Sequence, residues 1–259
     1  SLSGDHTLRG GYGTDTLTAT GKKVTLEGGD ENDNINAYGF IDKEGSRSYL
    51  EDGEATITGD SGDDTIRVEY YKTVNVEGGE GNDTVRSYYI DNSIVIKGDQ
   101  GKDDLNVERG LKVEIEGGTG DDTLSAYEVL DGKLTGGTGN DQLTATYYGY
   151  PWSEWAGKRV RDKNQNNVFD ETQVYVLDGG EGDDTLKIRG QNTRLEYGGN
   201  EANLKGGKGN DTIEITDNNA GTTSGTEGNK YGIVKAVIDG GEGKDTITVS
   251  GGLDVSITT

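Results

Sequence analysis

Cysteine is absent from this 259-residue chain, which excludes disulfides and thiolate metal sites. Histidine occurs once, at His6, and proline once. No G-x-S-x-G, H-E-x-x-H or G-x-x-x-x-G-K-[ST] is present, so the common catalytic motifs find no footing. Apolar residues make up only 29% of the chain, and no run of them is long enough for a membrane-spanning helix. Basic residues are scarce as well, 25 against 48 acidic ones, for a formal charge of −23. That balance repels nucleic acid and anionic membrane surfaces and argues against both as partners. The N-terminus, SLSGDHTL, lacks the basic region and apolar core of a signal peptide. The chain is therefore expected to use an export route that needs none, or to be a piece of something longer. So little apolar content, with 45 glycines, would leave an ordinary chain disordered, because burial could not offset the ordering entropy.

What is present is repetition. From Ile57 to Leu143 the chain reads ITGDSGDDTI, VEGGEGNDTV, IKGDQGKDDL, IEGGTGDDTL and LTGGTGNDQL. The template is U-x-G-G-x-G-x-D-x-U, where U is a large aliphatic residue. Its aspartates, Asp64, Asp83, Asp103, Asp122 and Asp141, are spaced by 19, 20, 19 and 19 residues. A fixed period of that length marks a solenoid with one coil per repeat. Five further copies, LRGGYGTDTL, LEGGDENDNI, LDGGEGDDTL, LKGGKGNDTI and IDGGEGKDTI, carry Asp15, Asp33, Asp184, Asp211 and Asp245. SLSGDHTL looks like a decayed half-copy with His6, read as a surface residue, in the aspartate slot. Longer gaps read as one coil plus a loop excursion, at about residues 37–54, 146–173, 191–203 and 217–233. The 27-residue gap before Asp211 spans three half-coils, so a change of edge is the alternative to a loop there.

Residues flanking each glycine turn alternate with period two, as in a strand with one buried face. Leu26, Ile57, Val76, Ile96 and their equivalents share one slot before the turn. Leu17, Ile35, Ile66, Val85 and theirs share one after it. Stacked at about 4.8 Å, these ladders make two parallel sheets with a thin aliphatic filling. Helix has no support, since glycine pairs interrupt every window. The expected fold is all-β, a right-handed parallel β-roll or β-helix solenoid of roughly ten coils, forming a single domain over 1–259.

Each turn projects one carboxylate and exposes carbonyl oxygens, with the next turn one strand spacing away. Two stacked turns enclose a cage of hard oxygens, which suits calcium better than magnesium. Ten turns leave nine gaps, and nine divalent ions would bring −23 to about −5. A column of carboxylates at strand spacing would otherwise repel itself. A single such aspartate is ordinarily a solvated turn residue; ten in register are not.

GGEGNDTV and GGTGDDTL resemble the GGxGxDxUx nonapeptides of the RTX, hemolysin-type calcium-binding β-roll family. The resemblance covers most of the chain outside the excursions. It implies a parallel β-roll, calcium between successive turns, and folding after export, commonly by type I secretion. Carried over by position, the ligands are the carboxylates of Asp15, Asp33, Asp64, Asp83, Asp103, Asp122, Asp141, Asp184, Asp211 and Asp245. Carbonyls such as those of Gly78, Glu80, Gly117 and Thr119 complete the cages. Family members place the nonapeptide on both edges of the roll; here it occurs once per coil, so calcium is expected on one edge only. LEGGDENDNI departs further, with Glu31 in the third glycine's place, which puts that turn's geometry in question.

The excursion YYGYPWSEWAGKRVRDKNQNNVFDETQ holds both tryptophans and a second oxygen-rich loop. Asp162, Asn164, Asn166 and Asp170 fall at positions 1, 3, 5 and 9 of an EF-hand-like loop, with the Val168 carbonyl at 7. Position 12 is Gln173 rather than glutamate, so the loop is either a cation site or an ordinary polar loop. Tyr147, Tyr148, Tyr150, Trp152 and Trp155 either bind sugar or protein, or pack the excursion onto the scaffold. Tyr70, Tyr71, Tyr88, Tyr89 and Tyr127 are expected to cover the opposite edge.

The function expected from these readings is that of a non-catalytic, calcium-dependent structural segment of a secreted or cell-surface bacterial protein. Surface-layer, adhesin and matrix proteins are the kinds that fit, with self-association or a cell-surface polysaccharide as partner besides calcium. The alternatives are the export and folding module of a type I secreted enzyme, or carbohydrate binding through residues 147–155. Both ends stop within a repeat, which reads as an excised fragment.

Overall fold

The computed structural model describes residues 4–43, 46–49, 52–148, 160–161, 167–168, 174–191, 200–217, 233–250 and 254–259. Every regular element among them is a strand. No described helix is long and apolar enough to cross a membrane.

The strand before each glycine turn pairs in parallel with its counterpart one coil away, and so does the strand after it. Lys23–Asp30, Glu54–Ser61 and Thr73–Glu80 stack in the first series. Thr16–Thr20, Asn34–Tyr38 and Thr65–Glu69 stack in the second. In mid-chain Thr84–Gln100, Asp104–Thr119 and Thr123–Thr138 run unbroken from one series round into the other. The two series thereby join into one 18-stranded sheet. This is a parallel β-roll solenoid.

Register follows the aliphatic slots. Leu26, Ile57, Val76 and Ile96 are successive partners, as are Ile35, Ile66, Val85 and Leu105. Period-two alternation sends these side chains inward, and all are essentially inaccessible to solvent. Each contributes about 2 kcal/mol by burial. A further inward ladder runs two residues out, through Ala37, Val68, Ser87, Val107 and Ala126. Two tyrosines also enter the core. Tyr175 fills the space beside Gly132, where an added Cβ would strike its ring, and its hydroxyl donates to the Val129 carbonyl at 2.8 Å. Tyr71 departs from the expectation for the tyrosine pairs: it turns inward and is 1% exposed. Tyr70, Tyr88, Tyr89 and Tyr127 remain half-buried on the far side of the roll from the glycine turns.

Two short antiparallel pairs lie outside the large sheet, Phe40–Lys43 with Ser46–Tyr49 and Val160–Arg161 with Asn167–Val168. The strand Asn200–Lys208 pairs with Val174–Glu181, so the chain returns to the same edge for the turn of Asp211. His6 is not at a turn. It lies in Asp5–Tyr12 opposite Val24, because the first coil's strand already begins there.

Candidate metal centre

In the copy Val76–Val85, Gly79 and Gly81 have φ of 115° and 133°, so two of its three glycines supply left-handed backbone. The first glycine answers a different need. A Cβ added to Gly78 would fall within 3.0 Å of Asp83 Oδ2 and of the Gly98 carbonyl oxygen. That glycine keeps clear the space in which carboxylate and carbonyl meet. Where glycine is replaced, the backbone still turns: Asp60, Asp99 and Glu31 adopt φ of 76°, 74° and 76°. Glu31 therefore leaves its turn intact, and Asp33 keeps its place between Asp15 and Asp64. A non-glycine residue in that region costs about 1–2 kcal/mol. Glu31→Gly is accordingly expected to raise the thermal midpoint of the calcium-loaded protein by a few degrees, measured by circular dichroism.

The ten motif aspartates form one file along one edge of the roll. The amide N–H of Asp15 donates to Asp33 Oδ1 at 2.7 Å, that of Asp33 to Asp64 Oδ1 at 2.7 Å, and that of Asp64 to Asp83 Oδ1 at 2.8 Å. The pattern continues through Asp103, Asp122, Asp141, Asp184 and Asp211 to Asp245. Each carboxylate from Asp33 to Asp245 thus spends one oxygen on the preceding coil. The other is left over. In nine of the ten, Asp15 to Asp211, Oδ2 is buried and has no hydrogen-bond partner among the described residues. Asp64, Asp83, Asp103, Asp122, Asp141, Asp184 and Asp211 are each 1% exposed.

Desolvation raises their pKa values, against the pull of the backbone hydrogen bond. Asp64, Asp103 and Asp141 are pushed up to about 6, and Asp83, Asp122 and Asp184 to about 7. Neighbouring carboxylates add to the rise for several of them, Asp83 and Asp122 among them. A column of this kind is satisfied either by protons or by cations.

The donor set selects the cation. Beside Asp64 Oδ2 lies the carbonyl of Gly78, and beside Asp103 Oδ2 that of Gly117. The Glu80 and Thr119 carbonyls accept the N–H groups of Gly62 and Gly101 at 2.7 and 2.8 Å, which leaves each one lone pair. Third-glycine carbonyls also reach across the gap in mid-file: Gly62 O points at Gly81, and Gly120 O at Gly139. Sequence reasoning missed these oxygens, because backbone orientation leaves no mark in residue identity. Among the described residues no three acidic or histidine side chains gather at one point. The cage is therefore one of carbonyl oxygens around a carboxylate, all hard donors with no nitrogen or sulfur. Calcium, with six to eight oxygens at flexible geometry, fits such a cage.

A second ladder, also unforeseen, flanks the first. Asp63 N–H donates to Asn32 Oδ1 at 2.9 Å, Asn82 N–H to Asp63 Oδ1 at 2.7 Å, and Lys102 N–H to Asn82 Oδ1 at 2.9 Å. It resumes through Asp121, Asn140, Asp183 and Asn210. Where the residue before a motif aspartate is asparagine or aspartate, it thus splices coil to coil, beyond favouring a turn. Asp162, Asn164, Asn166 and Asp170 lie outside the described residues, as do Tyr150, Trp152 and Trp155 and the side chains of Tyr147 and Tyr148. Val168 is opposite Val160 in the short antiparallel pair.

A profile of RTX calcium-binding nonapeptide repeats, four copies long, matches residues 9–43, 51–68, 75–87, 114–128, 176–187, 197–214 and 237–255, about half of the chain. The copies of Asp103 and Asp141 fall between matched segments yet stand in the same file. No curated protein and no solved structure matches the chain. Repeats in register, a file of buried carboxylates and the matched segments agree: the chain belongs to the RTX family of calcium-binding nonapeptide-repeat proteins.

Proposed function

We propose that residues 1–259 form one calcium-stiffened, non-catalytic structural unit of a secreted or cell-surface bacterial protein of the surface-layer, adhesin or matrix kind. The observation that supports it best is the file of nine buried carboxylate oxygens without a partner. In this reading the ten motif aspartates, Asp15 to Asp245, are the ligands, aided by carbonyls such as those of Gly78, Glu80, Gly117 and Thr119. Gaps between ten turns hold about nine ions. Each ion ties one coil to the next, so rigidity propagates by nearest-neighbour coupling as in other solenoids. Such a unit would be loose in the calcium-poor cytoplasm and stiff outside the cell, where sites of millimolar affinity fill.

Removing a ligand in mid-file tests this. Asp103 accepts the Asp83 N–H and sits between two gaps, whereas Asp15 accepts from no earlier motif aspartate. Asp103→Ala strips both gaps and leaves a buried donor unpaired, a cost of about 1–3 kcal/mol. The calcium concentration at half-maximal folding is expected to rise several-fold for Asp103→Ala and much less for Asp15→Ala. Equal midpoints in the two titrations would overturn the assignment of a coupled file. Calorimetric stoichiometry well below nine would overturn the ion count.

A further inference from the structure

The side of the roll away from the glycine turns carries a groove of about 560 Å³. Four tyrosines, Tyr38, Tyr70, Tyr88 and Tyr89, line it, and Arg67, Glu69 and Asn36 supply the polar part of its wall. The side chains are arranged coil on coil. Tyr38, Glu69 and Tyr88 are register partners, as are Asn36, Arg67 and Arg86. Tyr70 and Tyr89 stack with ring centres 4.8 Å apart and planes within 5°. The Arg109 guanidinium lies 4.9 Å from the Tyr89 ring centre and donates to the Tyr89 hydroxyl. Arg109 is held in turn by the Glu128 carboxylate at 2.5 Å, whose side chain is 3% exposed. Arg67 lies over the Tyr88 ring at 5.0 Å and pairs with Glu69 at 2.5 Å.

The backbone also bends sharply along this side of the roll. Tyr70, Tyr89, Arg109 and Glu128 have φ of 63°, 58°, 68° and 54°. Bulky residues in the left-handed region are strained, and such strain persists where side chains are held for a purpose. A glycine or asparagine would make the same bend more cheaply. Calcium-site chemistry does not explain the arrangement, because the glycine turns lie on the other edge.

The lining narrows the ligand by elimination. Glu69 is the only acid among the described lining residues, and Arg67 engages its carboxylate, so a cation finds no open carboxylate. That same pairing neutralises Arg67, and the chain's charge of −23 disfavours a polyanion. A wall built of arginine, glutamate, asparagine and phenol groups is too polar for a lipid tail. What remains is a neutral, polyhydroxylated ligand that has both C–H faces for aromatic rings and hydroxyls for planar polar side chains. We propose that this groove is a binding site for a neutral saccharide. It is separate from the calcium file. Stacking and ion pairs hold its rings and guanidinium in place before the ligand arrives, which lowers the ordering cost of binding.

The test uses calcium-saturated full-length chain and a panel of neutral oligosaccharides of glucose, N-acetylglucosamine, mannose and galactose, read by isothermal titration calorimetry and saturation-transfer NMR. At least one member should bind with a micromolar to millimolar dissociation constant. Tyr88→Ala and Arg67→Ala should each weaken it at least about tenfold, with the calcium midpoint of folding unchanged. Should either variant fail to fold, Asn36→Ala and Tyr88→Phe, which spare the packing, should still weaken it measurably. No binding by any member would overturn the assignment. So would binding indifferent to all four substitutions, binding removed only by Trp152→Ala or Trp155→Ala, or occupancy of the groove by a protein alone. None of these outcomes touches the calcium file, whose failure would show in the calcium titration instead.

Discussion

In excess chelator at neutral pH the chain is expected to lose its sheet, and calcium at millimolar concentration to restore it. The aliphatic filling is thin ladders of isoleucine, leucine, valine and alanine, joined by two tyrosines. Against it stand nine buried oxygens that no described residue satisfies. At about 1–3 kcal/mol each, more where charged, their cost matches or exceeds the 5–15 kcal/mol by which a domain is usually stable. A divalent ion in each gap turns that cost into coordination. Because each inner aspartate borders two gaps, the transition should be steep, with a Hill coefficient well above one. Magnesium at the same concentration should not substitute, since it holds its water and demands strict octahedral geometry. Circular dichroism near 218 nm and a thermal scan decide the matter: a stripped chain as ordered and heat-resistant as the loaded one would refute the whole reading.

The second large effect is opposite pH dependence in the stripped and loaded states. In the metal-free fold, six aspartates have pKa values pushed up to about 6 or 7 by burial. In the unfolded chain they return to about 3.9. The folded state then binds more protons than the unfolded one between roughly pH 4 and 7, so acid stabilises it. The stabilisation is complete below about pH 4 and is lost as pH rises through 6 to 7. For one such residue, a rise from about 3.9 to about 6 corresponds to about 3 kcal/mol. Chelated protein should accordingly regain sheet when brought from pH 8 to pH 5. With calcium the sign reverses, because protons compete for the ligand oxygens, and the calcium requirement should rise over the same interval. A chelated chain equally unfolded at both pH values would show that protons do not satisfy the file.

The calcium edge and the tyrosine edge use the same principle with different chemistry. A coil repeat near 19 residues places like positions above one another, so any residue recurring at the period becomes a column. On one edge the column is aspartate, and the outcome is a chain of hydrogen bonds with one oxygen of each carboxylate in reserve. On the other it is Tyr70, Tyr89, Arg109 and Glu128, and the outcome is a strained stack with a groove beside it.

The sequence alone determined the coil, the two faces of each strand, the single edge that bears aspartate, and hard-oxygen chemistry. All of these follow from spacing and residue type, because period two sorts side chains inward and outward and the longer period sets them in register. The sequence did not reveal that Asp64 would give Oδ1 to the coil before and hold back Oδ2. Nor did it reveal that Gly78 is needed for room rather than for φ, or that Asn82 and Asp63 form a splice of their own. Tyr71 in the core and Tyr70 against Tyr89 look alike in the sequence, where both belong to YY pairs. These matters turn on the offset between neighbouring coils and the direction each carbonyl points. Both are set only when the coils stack, since a hydrogen bond or a cation cage needs atoms from two coils within a few ångströms of one another.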